Sequence, residues 1–264
     1  MQKVILCFIS LLLLSGCAKI EEGPATPENA QRLLKLRGYD FDEKSFFAAA
    51  QARDTMAINA FFDAGINKNA QNSDGRTVLI AAAARGELDI VNLLLSRGVD
   101  VNVKDNRGYT ALAHALEARY SEVEEALLNR PELNPNVGGL LGRPVLLAYV
   151  WRDNKKATER LLALGADVKL VDKDGDTALH GAAETGNVEI MRMLLDKGAN
   201  PNAKNNQGGT PLMWAAVFGN EDAARLLLSR GADASLKDND GITALEWASR
   251  NNRQRMVTLL RGKH

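Results

Sequence analysis

Five phrases in this chain open with threonine and read as versions of one another. They are TVLIAAAARG from Thr77, TALAHALEAR from Thr110, TALHGAAETG from Thr177, TPLMWAAVFG from Thr210 and TALEWASRNN from Thr243. Thr77 and Thr110, Thr177 and Thr210, and Thr210 and Thr243 are each 33 residues apart. The 67 residues from Thr110 to Thr177 hold two such periods and one extra residue, and RPVLLAYVWR at Arg143 supplies the missing phrase. One period before Thr77 stands a worn copy, KSFFAAAQAR, at Lys44. One ruler therefore marks seven units. A unit this short cannot enclose a core of its own, so its apolar faces must be buried against the copies on either side.

Each unit is consistent with that demand. Threonine is a favoured helix N-cap, and Pro144 and Pro211 suit a first helical turn. Alanine pairs such as Ala82-Ala83, Ala182-Ala183 and Ala215-Ala216 let helices approach closely. A second helix follows with apolar residues at helical spacing, as at Ile190, Met193, Leu194 and Leu195. Gly65, Gly98, Gly165, Gly198 and Gly231 stand where a left-handed helix end needs no Cβ. NSDGRT, KDNRGYT, VDKDGDT and KDNDGIT then make tight turns into the next unit.

DGDTALHGAAETGNVEIMRMLLDKGANPNAKN and DGRTVLIAAAARGELDIVNLLLSRGVDVNVKD resemble the ankyrin repeat family, and the likeness runs over residues 44–264. It implies an all-α ankyrin-repeat solenoid of about seven helix–loop–helix repeats with β-turn fingers and degenerate ends. Thr26-Pro27 starts a short helix through Leu36, closed by Gly38, which caps the first repeat. The ankyrin domain is therefore expected over residues 27–264.

The first residues have a different logic. Lys3 precedes an apolar run over residues 4–14 that is too short to cross a bilayer, and LSGC follows at residues 14–17. LSGC resembles a bacterial lipobox, implying removal of residues 1–16, lipidation of Cys17 and a tether over 17–26; a plain secretory signal is the alternative. Several acyl chains hold a protein firmly at a membrane. Ala18, where an aspartate would mark inner-membrane retention, points by the same resemblance to the periplasmic face of the outer membrane. Cys7 is the only other cysteine, so the processed chain has no disulfide to lean on. Lysine plus arginine and aspartate plus glutamate both total 33, which gives no reason to expect a nucleic-acid partner. No cofactor is expected, and the protein reads as a monomer.

His180, with Asp174, Asp176 and Glu184 nearby, resembles half a metal site. In ankyrin repeats, however, the TxLH histidine ties one repeat to the next through the threonine hydroxyl and loop backbone. Zinc needs three or four protein ligands, while His114 and His264 are remote in the chain. Gly138-Gly139 with Gly142 lacks the lysine of a phosphate loop, and KDNDG lacks the twelfth-position glutamate of a calcium loop. No catalytic or metal residue is assigned, and the chain reads as a non-enzyme.

The resemblance implies instead a protein partner on the concave face, read by finger tips and exposed ends of first helices. The tips would be Arg76, Tyr109, Asp176 and Ile242. The helix ends include Glu184-Thr185, Val150-Trp151 and Val217-Phe218. Tyr109, Leu140, Leu141, Trp151 and Phe218 then form an apolar stripe, flanked by Arg76 and Arg107, of the kind that anchors partners. Local repacking around an insertion in NPNVGGLLGRP, where Pro131 also replaces a glycine, is the competing account. Trp214 and Trp247 read as core. Two roles remain open: an inhibitor or immunity protein for a periplasmic or membrane-attacking hydrolase, and a scaffold for an envelope enzyme.

Overall fold

The computed structural model describes residues 26–262. The expected signal peptide, Cys17, nearly all of the tether and His264 lie outside those residues.

A lone helix, α1 (Pro27–Leu36), leads seven helix pairs. The first three pairs are α2 (Glu43–Gln51) with α3 (Thr55–Asp63), α4 (Val78–Arg85) with α5 (Leu88–Ser96), and α6 (Ala111–Ala118) with α7 (Ser121–Leu128). A two-stranded hairpin follows, β1 (Gly139–Leu140) and β2 (Arg143–Pro144). The last four pairs are α8 (Val145–Trp151) with α9 (Lys155–Ala163), α10 (Ala178–Thr185) with α11 (Val188–Asp196), α12 (Pro211–Phe218) with α13 (Glu221–Ser229), and α14 (Ala244–Arg250) with α15 (Gln254–Arg261). First helices stack on first helices and second helices on second, the solenoid expected from the period. The helix α1 joins the second-helix row against α3, a half unit that shields the first repeat.

The caps follow the sequence. The hydroxyls of Thr77, Thr110, Thr210 and Thr243 each accept the N–H three residues on, at 3.2–3.4 Å. Gly65, Gly98, Gly165, Gly198 and Gly231 all carry positive φ after their helices. One apolar core runs unbroken from Ala30 to Leu260, and both residues of the pairs Ala82-Ala83, Ala182-Ala183 and Ala215-Ala216 are fully buried. A buried Leu or Ile stabilises by about 1.5–3 kcal/mol, and each unit collects several only by covering its neighbour.

The fingers repeat a small device. Asn72, Asp105, Asp172, Asn205 and Asp238 each accept, on one side-chain oxygen, the N–H groups two and four residues later at 2.8–3.1 Å. Consecutive fingers are then laced together. Asn106 donates its backbone N–H to Asp74 and its side-chain amide to Ser73, both at 3.0 Å, and Asn206 and Asn239 repeat the pattern. The lacing demands glycine at 75 and 175, where a Cβ would fall 2.8 Å from the next finger's backbone nitrogen.

The fourth unit departs from the pattern. Its finger is the β1–β2 hairpin, closed by Leu141 and Gly142 at φ 54° and 76°, the left-handed pair of a type I′ turn. Strand β1 lies against both α6 and α8. Pro144 corrects the expectation of a first-turn proline: it is extended at ψ 145° within β2, and α8 starts one residue later. The hairpin uses Pro144 as a strand residue, so the helix cannot begin on it. This unit also buries Tyr149 completely, its hydroxyl donating to the buried Glu124 at 2.7 Å. Burial pushes the Tyr149 phenol far up, and the Glu124 charge adds to the rise.

Candidate functional site

His180 belongs to the scaffold. Its Nδ1 accepts the Thr177 N–H at 3.0 Å, with the Thr177 hydroxyl at 2.9 Å, so the remaining proton sits on Nε2 and donates to Gly209 of the next finger at 3.1 Å. Burial pushes the imidazole down to about 4, against the pull of the Gly209 carbonyl, and the ring stays neutral at pH 7. Among the described residues, no three His, Cys, Asp or Glu side chains converge as a metal shell.

The finger-tip expectation needs correction. Tyr109, Asp176 and Ile242 are 5%, 5% and 6% exposed, and Arg76 is half-buried. The residue after the finger glycine has its N–H tied to the Asx side chain and stands immediately before the capping threonine. Its side chain is thereby turned under the finger, while the true tips are the residues just before the glycine. Tyr109 is therefore buried rather than displayed at a tip. Its ring meets His114 edge-on at 5.5 Å, and its hydroxyl accepts the Leu141 N–H at 2.8 Å, pinning the hairpin. Arg107 lies 4.2 Å above the Tyr109 ring and pairs with Glu117 at 3.2 Å, its own side chain half exposed.

The remaining stripe residues divide. Leu140 is half-buried against the core, whereas Leu141 at the turn is 72% exposed. Trp151 is half-buried: its indole N–H donates to Glu184 at 2.8 Å, Arg143 covers the ring at 4.2 Å, and the ring rests on Gly181 of α10. Phe218 is 41% exposed and stacks on Trp214 at 5.9 Å and 8° between planes.

Trp214 and Trp247 also depart from the core expectation, because both are only half-buried. They stand four residues past the capping threonine, the position His114 holds in α6. His114 Nε2 and Trp247 Nε1 each lie within 2.8 Å of the second oxygen of a finger aspartate, Asp105 and Asp238. The α12 finger carries Asn205 instead, whose amide donates to Asp176, and Trp214 turns to Phe218. Sequence position singles out Trp151 and Phe218 but places Trp214 and Trp247 in the core; comparing the position four past each threonine, where His114 stands in α6, would have set the two tryptophans beside them.

Charge is distributed unevenly along the same face. Burial pushes the Asp176 carboxyl up to about 6; Asn205, donating at 2.8 Å, opposes this, and the Asp172, Asp174 and Glu184 charges add to the rise. Arg143 answers Asp172 at 3.2 Å. Toward the other end, Arg76 and Lys44 face a groove between the first two units.

The comparisons agree with this geometry. A family model described as ankyrin repeats matches residues 46–137 and 146–238, well over half of the chain. A putative ankyrin repeat-containing protein of Treponema pallidum is 31% identical over 150 residues, covering 56% of this chain and 50% of that protein. The chain spans half or less of the length of the first curated relatives it matches. The solved ankyrin repeat domain of Bcl-3, described as a member of the IkappaB family, is 30% identical with a TM-score of 0.65, covering 82% of this chain and 97% of that one. An ankyrin repeat domain from Acinetobacter baumannii is 31% identical with a TM-score of 0.62, covering 69% and 95%.

Proposed function

Because the chain belongs to the ankyrin repeat family, we propose that it is a non-enzymatic binding protein that holds a protein partner against the face built by its fingers and first helices. One observation carries this reading: four aromatic rings, the half-buried Trp151, Trp214 and Trp247 and the 41% exposed Phe218, reach the surface on the first helices α8, α12 and α14. Exposed aromatics on a rigid frame anchor partners at low entropic cost. Leu141 extends the apolar surface from the hairpin turn.

The lipobox-like LSGC places the protein, in this reading, on a lipid anchor at Cys17 on the periplasmic face of a bacterial outer membrane. There it acts as an inhibitor or immunity protein that covers a periplasmic or membrane-attacking hydrolase. The second reading is a scaffold that recruits an envelope enzyme to the membrane; the preformed finger face supports either.

Affinity capture tests the binding reading. Phe218→Ala and Leu141→Ser remove exposed surface without opening the core, and together they should abolish capture of a partner that the wild type retains. Undiminished capture by the double variant overturns the reading. Gene deletion separates the roles: toxicity cured by removing a cognate hydrolase marks an inhibitor, and mislocalisation of a client without toxicity marks a scaffold. Radiolabelled palmitate on wild type but not on Cys17→Ser checks the anchor.

A further inference from the structure

We infer that the groove between α2 and α4, beneath the first finger, is a carboxylate-binding site that takes an acidic side chain of the partner. The inference rests on the protein-binding reading above, to which it adds the chemistry of one contact. The groove encloses about 450 Å³, with Lys44 and Phe47 from α2, Gln71 and Arg76 from the finger, and Ala81 and Arg85 from α4 on its walls. Glu43 is the one acidic residue lining it, against three cations.

Arg76 supplies the decisive detail. Its Nε is buried and has no hydrogen-bond partner, the one such side-chain atom among the described residues. The nearest carboxylate, Asp105, stands 3.8 Å away, too far for a hydrogen bond. Nor can Asp105 move closer without loss. One of its oxygens accepts the Arg107 and Tyr109 N–H groups at 2.9 Å each, and the other is 2.7 Å from His114 Nε2. Asp105 therefore holds the Arg76 guanidinium in place by charge and leaves its donors unused. The Nε itself is closed to solvent, so an incoming carboxylate meets the partly exposed guanidinium through its terminal nitrogens, which suit a carboxylate with two parallel bonds.

The neighbouring cations have different duties. Arg85 is already engaged by Glu87 through two bonds of 2.8 Å, so it frames the groove without competing for the ligand. Lys44 is exposed and has no ion pair within 4.0 Å among the described residues. A carboxylate seated on Arg76 would have Lys44 as its second cation, with the methylenes of the same acidic side chain against Phe47 and Ala81.

The test titrates the 15N-labelled protein with an acetylated, amidated tetraglutamate peptide and follows arginine Nε–H and backbone amide resonances. We expect saturable shifts centred on Arg76 Nε and on the amides of Gln71, Asn72 and Ala81. Tetraglutamine should cause none, and the affinity should fall as salt rises. Arg76→Gln should weaken binding about tenfold or more, and Lys44→Gln, at an exposed position that cannot upset folding, about threefold. Shifts scattered over surface lysines and arginines, or binding unchanged in both variants, overturn the inference. An acetylated tetraalanine with a free C-terminus binding as tightly as tetraglutamate would also overturn it, because the site would then read a chain end. If tetraglutamate fails while the Phe218 and Leu141 substitutions still abolish partner capture, only this inference falls and the binding reading stands.

Discussion

Gly181→Ala is expected to destabilise the native protein yet stabilise a variant that lacks Trp151. Gly181 lies in the body of α10, where alanine is favoured over glycine by about 1 kcal/mol. A Cβ at that position would stand 2.9, 3.0 and 3.1 Å from Cδ2, Cε2 and Cε3 of Trp151, where carbon contacts settle near ~3.5–4 Å. The indole must therefore move outward by roughly 0.5–1 Å. It is held from the other sides by Arg143 over its face and by its bond to Glu184. Overpacking of this kind costs about 1–3 kcal/mol, which outweighs the helical gain. In Trp151→Ala the obstruction is absent, and the gain of about 1 kcal/mol should appear alone. Urea denaturation followed by circular dichroism at 222 nm, on the four proteins of the cycle, measures the difference. A coupling of about 1–3 kcal/mol is expected between the two positions. Equal effects of Gly181→Ala in both backgrounds, within about 0.5 kcal/mol, would refute the claim that Trp151 is seated on α10.

Other perturbations probe different parts of the molecule. Leu141→Asn makes the turn Asn-Gly, the favoured pair where both residues have positive φ, and relieves an exposed leucine at φ 54°. Thermal melting should show equal or higher stability, by up to about 1 kcal/mol, and a clear loss would refute the turn assignment. Asp176→Asn tests the acidic cluster: with a folded pKa raised from 3.8 to about 6, Asp176 favours folding below pH 3.8, and that contribution is lost as pH rises through 6. The substitution should therefore stabilise by about 1–3 kcal/mol at pH 7.5 and have little effect at pH 3.5, read as paired urea midpoints. Tyr149→Phe leaves the buried Glu124 without its 2.7 Å donor and should cost about 1–3 kcal/mol, with Glu124→Gln in the same protein recovering part of it.

The period, the caps and the pairing of helices were legible because each is local. Thr77, Thr110, Thr210 and Thr243 act on the N–H groups of their own first turn, Thr177 on the His180 ring in its own, and a helix-ending glycine answers only to its own φ. Even the bonding of His180 follows from residues within one unit and the next finger. Exposure was harder to read, because it depends on what a residue meets about 33 positions away. Tyr109 was expected at a tip and lies under the hairpin; Trp214 and Trp247 were expected inside and reach the surface.

What the amino-acid sequence determined by itself was therefore the repeating unit and its direction of stacking, since a 33-residue unit without its own core has no other way to bury its apolar face. Only the tertiary structure decided which side chains are left over. Trp151 finds a seat because Gly181 is the neighbour with no Cβ, Phe218 stays 41% exposed with Trp214 stacked on it, and Arg76 keeps an unused donor because His114 had already taken Asp105. Those outcomes rest on contacts between units, where the shape of one residue sets the exposure of another.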